Sequence, residues 1–81
     1  MRMVCISRNN DIGAGLRFAG IQSFIIDETE NIIMKLNELV DDKDVGIINV
    51  TEDVYNLCHE EIDKIIQKND FPLIIKIPNT K

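Results

Sequence analysis

The sequence predicts a small three-layer α/β domain built on a four-stranded parallel sheet in the strand order 2-1-3-4. Short apolar runs alternate with segments of helical periodicity in the order β-α-β-α-β-α-β, which is typical of a parallel sheet. The runs are apolar at successive positions, as strands buried on both faces are. Right-handed crossovers then favour an arrangement with the first helix on one face and the other two on the opposite face. The 81 residues suffice for a single domain spanning 1–81.

The first part of the chain is predicted to contain two strands and two helices. Residues 3–7 form the apolar run of the first strand, and residues 12–19 follow with apolar residues along one side of a short helix. Gly20 stands where a left-handed C-terminal cap belongs. Residues 23–26 predict the second strand. Asp27 and the three residues after it read D-E-T-E, the form of a capping box, which predicts an acidic cap on the second helix.

The second part of the chain continues the same alternation. Residues 45–50 predict the third strand, Thr51 can cap the third helix, and residues 73–77 predict a fourth strand between two prolines. The residues expected to form the buried stripes of the helices recur at three-and-four spacing: Ile32, Ile33, Leu36, Leu39 and Val40 in the second helix, and Val54, Leu57, Cys58, Ile62, Ile65 and Ile66 in the third.

The charge is divided unevenly along the chain. Residues 1–26 carry three arginines against one aspartate, a balance of +2, whereas residues 27–81 carry six lysines against thirteen acids, a balance of −7. The total of −5 argues against a nucleic-acid partner, because phosphate binding needs a basic patch. In the predicted fold the acidic helices share one face, and Arg17 lies on the opposite face. No apolar run approaches the roughly 20 residues of a membrane span, and the apolar run at the N-terminus is too short for a secretory signal.

The two cysteines predict no disulfide and no metal centre. Cys5 falls in the first apolar run and Cys58 in a helix pattern, which is typical of buried, reduced thiols in a cytosolic protein. His59 is the single histidine, and the chain has no Cys-x-x-Cys pair. We therefore expect neither a metal nor a cofactor.

Two known motifs fail here on spacing. Residues 13–18 begin as G-x-G-x-x-G, but Phe18 stands where the third glycine of a dinucleotide site belongs. A phosphatase loop of the form Cys-x5-Arg that starts at Cys5 would need an arginine where the chain has Asp11. We therefore expect no catalytic residues of these two kinds.

A phosphotransfer function is the alternative that stays open. A receiver-type site needs acids after strand one and an acceptor aspartate after strand three. At these two places the chain has residues 7–9 (S-R-N) and 49–51 (N-V-T), so the acids of a receiver site are missing. A small phosphotransfer component, similar to a sugar-transport IIB protein or a receiver, could instead use Cys5 or the loop at residues 7–13.

Three segments in a consistent order carry a resemblance to a known family. Residues 15–21 (G-L-R-F-A-G-I) resemble the G-F-R-L-A-G-I segment of the F subunits of the V/A-type rotary ATPases. Residues 49–53 (N-V-T-E-D) resemble that family's I-T-E-D after strand three, and residues 71–78 (F-P-L-I-I-K-I-P) resemble its P-L-I-V-x-I-P fourth strand. The chain departs from the pattern at Leu16 and Phe18, which are exchanged. Family members also usually continue past the final proline into a C-terminal helix.

The resemblance implies both the fold and the function. It implies a receiver-like (Rossmann-like) domain in the central rotor stalk of a proton- or sodium-translocating ATPase or ATP synthase. The partners it implies are the D subunit of the rotor, which is a long coiled coil, and, as further candidates, the catalytic head subunits. It also implies a non-catalytic component without a cofactor, located in the cytoplasmic, peripheral part of a membrane-bound complex.

The docking surface is expected on the arginine-bearing side and not on the acidic helices. Its candidate residues are Arg17, Phe18, Ile21 and Phe24, because arginine and aromatic side chains are enriched at protein interfaces. In the strand order 2-1-3-4, one side of the third and fourth strands has no helix to cover it. We expect the 81-residue chain to hide that side by self-association, and the same surface could bind a partner.

Overall fold

The computed structural model describes residues 1–8 and 20–79. Within them the chain forms a four-stranded sheet in which every pairing is parallel and the order is β2-β1-β3-β4, which confirms the predicted topology. The elements are β1 (Arg2–Ser7), β2 (Gln22–Ile25), α1 (Thr29–Asp41), β3 (Val45–Thr51), α2 (Glu52–Lys68) and β4 (Leu73–Ile77). The helix expected at residues 12–19 lies outside the described residues.

The hydrophobic core lies between the sheet and the two described helices. α1 and α2 pack against each other and against β3, so they share one face of the sheet, as predicted. Alternate side chains of the central strands point into this core, because successive residues of a strand point to opposite faces. The core side chains are Val4, Ile6, Ile32, Leu36, Leu39, Val45, Ile48, Val50, Val54, Cys58 and Ile62.

The start of α1 differs from the predicted capping box. The residue in the N-cap position is Glu28, not Asp27, and its side chain makes no capping hydrogen bond. The carboxylate of Asp27 instead accepts hydrogen bonds from the Arg8 guanidinium at 2.8 and 3.0 Å. The predicted acidic cap is therefore wrong, because an ion pair with a residue nineteen positions earlier takes up the Asp27 carboxylate.

The buried stripe of α2 is narrower than the sequence predicts. Val54, Cys58 and Ile62 are at most 1% exposed, but Leu57 and Ile66 are 43% and 45% exposed. The sheet has four strands and β4 is its edge strand, so the surface on which α2 packs is narrow. Side chains at the two sides of the apolar stripe of α2 therefore extend past this surface and remain exposed. Assigning Leu57 and Ile66 to the core was therefore wrong.

Candidate docking surface

One face of β3 and β4 points away from the two described helices. Ile48 belongs to the core, so its neighbour Ile47 points to the opposite side of the sheet. The strand register pairs Ile47 with Leu73 and Asn49 with Ile75, which places these side chains on that same side. Leu73 is 53% exposed and Ile75 is 41% exposed. Within residues 1–8 and 20–79, no helix covers this side of the two strands, in agreement with the expectation.

The exposed apolar side chains continue onto the neighbouring strand. Met3 pairs in register with Ile47 and is 39% exposed, and Ile77 at the end of β4 is half-buried. No charged side chain occurs among the described strand residues on this side of the sheet. We call this surface the uncovered face and define it by five residues: Met3, Ile47, Leu73, Ile75 and Ile77.

Two of the four predicted docking residues, Arg17 and Phe18, lie outside the described residues. Ile21 is half-buried and lines a cleft of ≈ 620 Å³ at the amino end of the sheet, together with Met1 and Met3. Ile21 is therefore close to the uncovered face, since Met3 belongs to both. Gly20, just before it, has a φ of 79°, the left-handed conformation expected of a C-terminal cap.

Phe24, the fourth predicted residue, lies on the other side of the sheet. It pairs in register with Ile6, packs against the core, and carries the Lys35 ammonium 4.6 Å from its ring centroid. A cation at this distance over an aromatic face is attracted to the ring. Phe24 is thus joined to α1, and its part in docking stays a prediction.

The carboxyl end of the sheet carries an acid-rich cleft. This cleft has a volume of ≈ 420 Å³ and is lined by Arg8, Asp27, Glu28, Thr29, Glu30 and Leu57. Ligands of α/β sheets often bind at this end. Here, however, the Arg8 guanidinium is paired with Asp27 at 2.8 Å and two more carboxylates line the cleft. This arrangement disfavours a phosphate or another anion.

A second polar group at this end, Asp53, is held by its neighbours. Its Oδ1 accepts hydrogen bonds from the Thr51 hydroxyl at 2.5 Å and the Val54 N–H at 2.8 Å, and its own N–H donates to Asn79 Oδ1 at 2.9 Å. Burial favours protonation of Asp53, but hydrogen bonds from Thr51, Asn79 and Val54, together with the charge of Arg8, outweigh it and lower its pKa. Asp53 therefore ties the start of α2 to the segment after β4.

Both cysteines are free and buried, as predicted. Burial raises the pKa of the Cys5 thiol from 9.0 to about 11. The pKa of the Cys58 thiol is also raised, mainly by burial and to a smaller extent by the negative charge of Glu61. Because the thiolate is the nucleophilic form of cysteine, a thiol with so high a pKa is poorly suited to accept a phosphoryl group. This disfavours the phosphotransfer alternative based on Cys5.

Among residues 1–8 and 20–79, no group of three or more His, Cys, Asp or Glu side chains could hold a metal ion. None of the helices in the same part of the chain is long and apolar enough to cross a membrane.

The sequence did not reveal the Arg8–Asp27 pair or the Asp53–Asn79 contact. Their partners are nineteen and twenty-six positions apart, and no local spacing signals such pairs. The available signal was topological: parallel strands place their carboxyl ends at the same edge of the sheet, and each of these residues follows the end of a strand.

Two comparisons with known proteins indicate the same kind of protein, a subunit of an ATP synthase. The family model described as ATP synthase (F/14-kDa) subunit matches residues 3–81, a range that contains the whole uncovered face. A relative from Thermoplasma acidophilum, described as the F subunit of an A-type ATP synthase, is 28% identical over 75 residues. That alignment covers 93% of this chain and 72% of the relative.

Proposed function

Since the chain belongs to the ATP synthase (F/14-kDa) subunit family, we propose that it is a non-catalytic component of the central stalk of a V/A-type rotary ATPase. In this role it binds the D subunit, the coiled coil of the rotor, and turns with it in the cytoplasmic, peripheral part of a proton- or sodium-translocating complex. The observation that carries the proposal is the family match over residues 3–81.

The geometry supports a binding role more than a catalytic one. The uncovered face presents Leu73 and Ile75 to solvent, and exposed apolar surfaces of this kind mark interaction sites. Two polar groups at the carboxyl end of the sheet are engaged with neighbouring side chains: Arg8 with Asp27, and Asp53 with Thr51.

The docking surface is proposed to be the arginine-bearing one predicted from the sequence, around Arg17, Phe18, Ile21 and Phe24, and not the acidic helices. The acids of α1 and α2 include Glu38, 69% exposed at its side chain and 2.9 Å from Lys35. Because electrostatic complementarity steers association, the acidic side would repel an acidic partner surface, whereas an arginine would attract one.

The test is to mix the chain with a candidate coiled-coil rotor protein and to look for a stable complex by gel filtration. Arg17→Glu should weaken the complex more than Glu38→Lys, because the first change reverses charge within the proposed surface and the second lies outside it. Equal effects of the two changes would contradict the docking side. Failure of the wild-type chain to form any complex would contradict the proposed function.

The phosphotransfer alternative predicts different behaviour. It requires transfer of a phosphoryl group to Cys5 from a donor protein, or ATP turnover that is lost in Cys5→Ser. We expect neither, because the Cys5 thiol is buried and its pKa is raised to about 11.

A further inference from the structure

We propose that α2 is a helix in two parts hinged at Cys58, and that a hydrogen bond from Tyr55 to Asp63 is the strap that holds its second part against the sheet. The first part is residues 52–57 and the second part is residues 59–68. The inference concerns a motion within this chain, so it goes beyond the proposed function and does not depend on any partner.

The break in α2 lies at one residue. Cys58 has φ −126° and ψ 27°, whereas residues inside an α-helix have values near −63° and −42°. Sharp breaks in helices are usually caused by proline or glycine, and α2 contains neither. The local sequence therefore does not impose the break, and contacts around it hold the two parts in their observed arrangement.

One side-chain contact crosses the break. The Tyr55 hydroxyl donates a hydrogen bond to Asp63 Oδ1 at 2.9 Å. In an uninterrupted helix, residues eight apart are separated by about 12 Å along the axis, and the side chains that meet are three or four residues apart. The contact between Tyr55 and Asp63 therefore depends on the break and joins the two parts. It also raises the pKa of the Tyr55 hydroxyl above its ordinary value, so this group stays protonated and able to donate near neutral pH.

The first part of α2 is anchored to β4 and to the segment that follows it. The Asp53 N–H donates a hydrogen bond to Asn79 Oδ1 at 2.9 Å, which fixes the first turn of the helix. Tyr55 itself is held by β4, because the Lys76 ammonium lies 4.9 Å from the centroid of its ring. The strap from Tyr55 to Asp63 extends this anchorage to the second part of α2.

The second part of α2 carries the surfaces that its motion would change. Ile62 is fully buried in the core, and Ile66 lines a cleft of ≈ 260 Å³ together with Leu73. When the strap is released, residues 59–68 should swing away as one unit, which uncovers Ile62 and widens this cleft. Cys58 is 1% exposed at the hinge and becomes accessible only in that opened state.

The experiment measures how fast iodoacetamide modifies each cysteine of the native full chain, with mass spectrometry to read Cys58 and Cys5 separately. Tyr55→Phe keeps the ring and removes the hydroxyl, so modification of Cys58 should become about fivefold faster while that of Cys5 is unchanged. Asp63→Ala removes the acceptor and should act in the same way. The control, Glu60→Ala, deletes an exposed carboxylate from the same part of α2 and should change the Cys58 rate less than about twofold.

Two outcomes of the labelling would overturn the inference. An unchanged Cys58 rate in Tyr55→Phe would show that the hydrogen bond holds nothing closed. Acceleration of Cys58 and Cys5 by the same factor would show that the variant destabilises the whole fold and that α2 has no separate opening.

A second measurement uses the wild-type chain, so it does not depend on the folding of a variant. Amide hydrogen exchange followed by NMR should show residues 61–65 exchanging as one group, faster than residues 56 and 57 and faster than the amides of β3. A single common exchange rate for both parts of α2 would contradict a hinge at Cys58.

Discussion

The isolated chain should self-associate weakly through the uncovered face. Burying an aliphatic side chain completely is worth about 1.5–3 kcal/mol. Leu73, Ile75 and Met3 are 53%, 41% and 39% exposed. Covering what remains of each is therefore worth about 1 kcal/mol, or about 6 kcal/mol for the three side chains on both copies of a back-to-back pair. Lost translational and rotational freedom offsets part of this gain.

This magnitude sets the concentration at which the pair should appear. A dissociation constant of 1 mM corresponds to about 4 kcal/mol, so association should become measurable only near millimolar concentration. Sedimentation equilibrium between about 0.02 and 1 mM would follow it. A double variant, Leu73→Thr with Ile75→Thr, should remain monomeric, whereas the control Met34→Gln, at a residue 67% exposed on α1, should behave as wild type. A wild-type chain that is monomeric throughout, or a double variant that associates equally well, would refute the reasoning.

Two further predictions concern stability. Asp53→Asn should lower the free energy of unfolding by about 1 kcal/mol at pH 7, because it weakens the charge-assisted hydrogen bonds that the Asp53 carboxylate accepts from the Thr51 hydroxyl and the Val54 N–H. Since the folded-state pKa of Asp53 is lowered, this stabilisation is present above the unfolded pKa of about 3.9 and is lost as the pH falls through the folded-state pKa. Urea unfolding of both proteins at pH 7 and near pH 3 would check this, and a difference that persists undiminished in acid would contradict it. Burial raises the Cys5 pKa from 9.0 to about 11, so the stability of the wild-type chain should decline as the pH rises between these values. Cys5→Ala should show a shallower decline in the same unfolding assay, and parallel curves would show that Cys5 does not cause it.

The pattern of apolar residues is sufficient to predict the architecture of the described part of the chain. Apolar runs at successive positions, such as residues 45–50, are typical of strands covered on both sides, and their alternation with helical segments left few parallel topologies. The observed order β2-β1-β3-β4 is the predicted one. The exposure of Leu73 and Ile75 on the side away from the two described helices also follows from topology and composition.

The polar contacts and the limits of the core depend on the folded arrangement and cannot be read from local patterns. Asp27 matched a local capping pattern, but Arg8 lies close enough to pair with it, and a charged pair across nineteen positions cannot be deduced from spacing. Leu57 and Ile66 matched the helical period, but the narrow sheet leaves them exposed. Periodicity indicates which side of a helix is apolar. How many of those apolar side chains are buried depends on the width of the sheet surface against which the helix packs, and that width is set by the packing of the helices on the sheet.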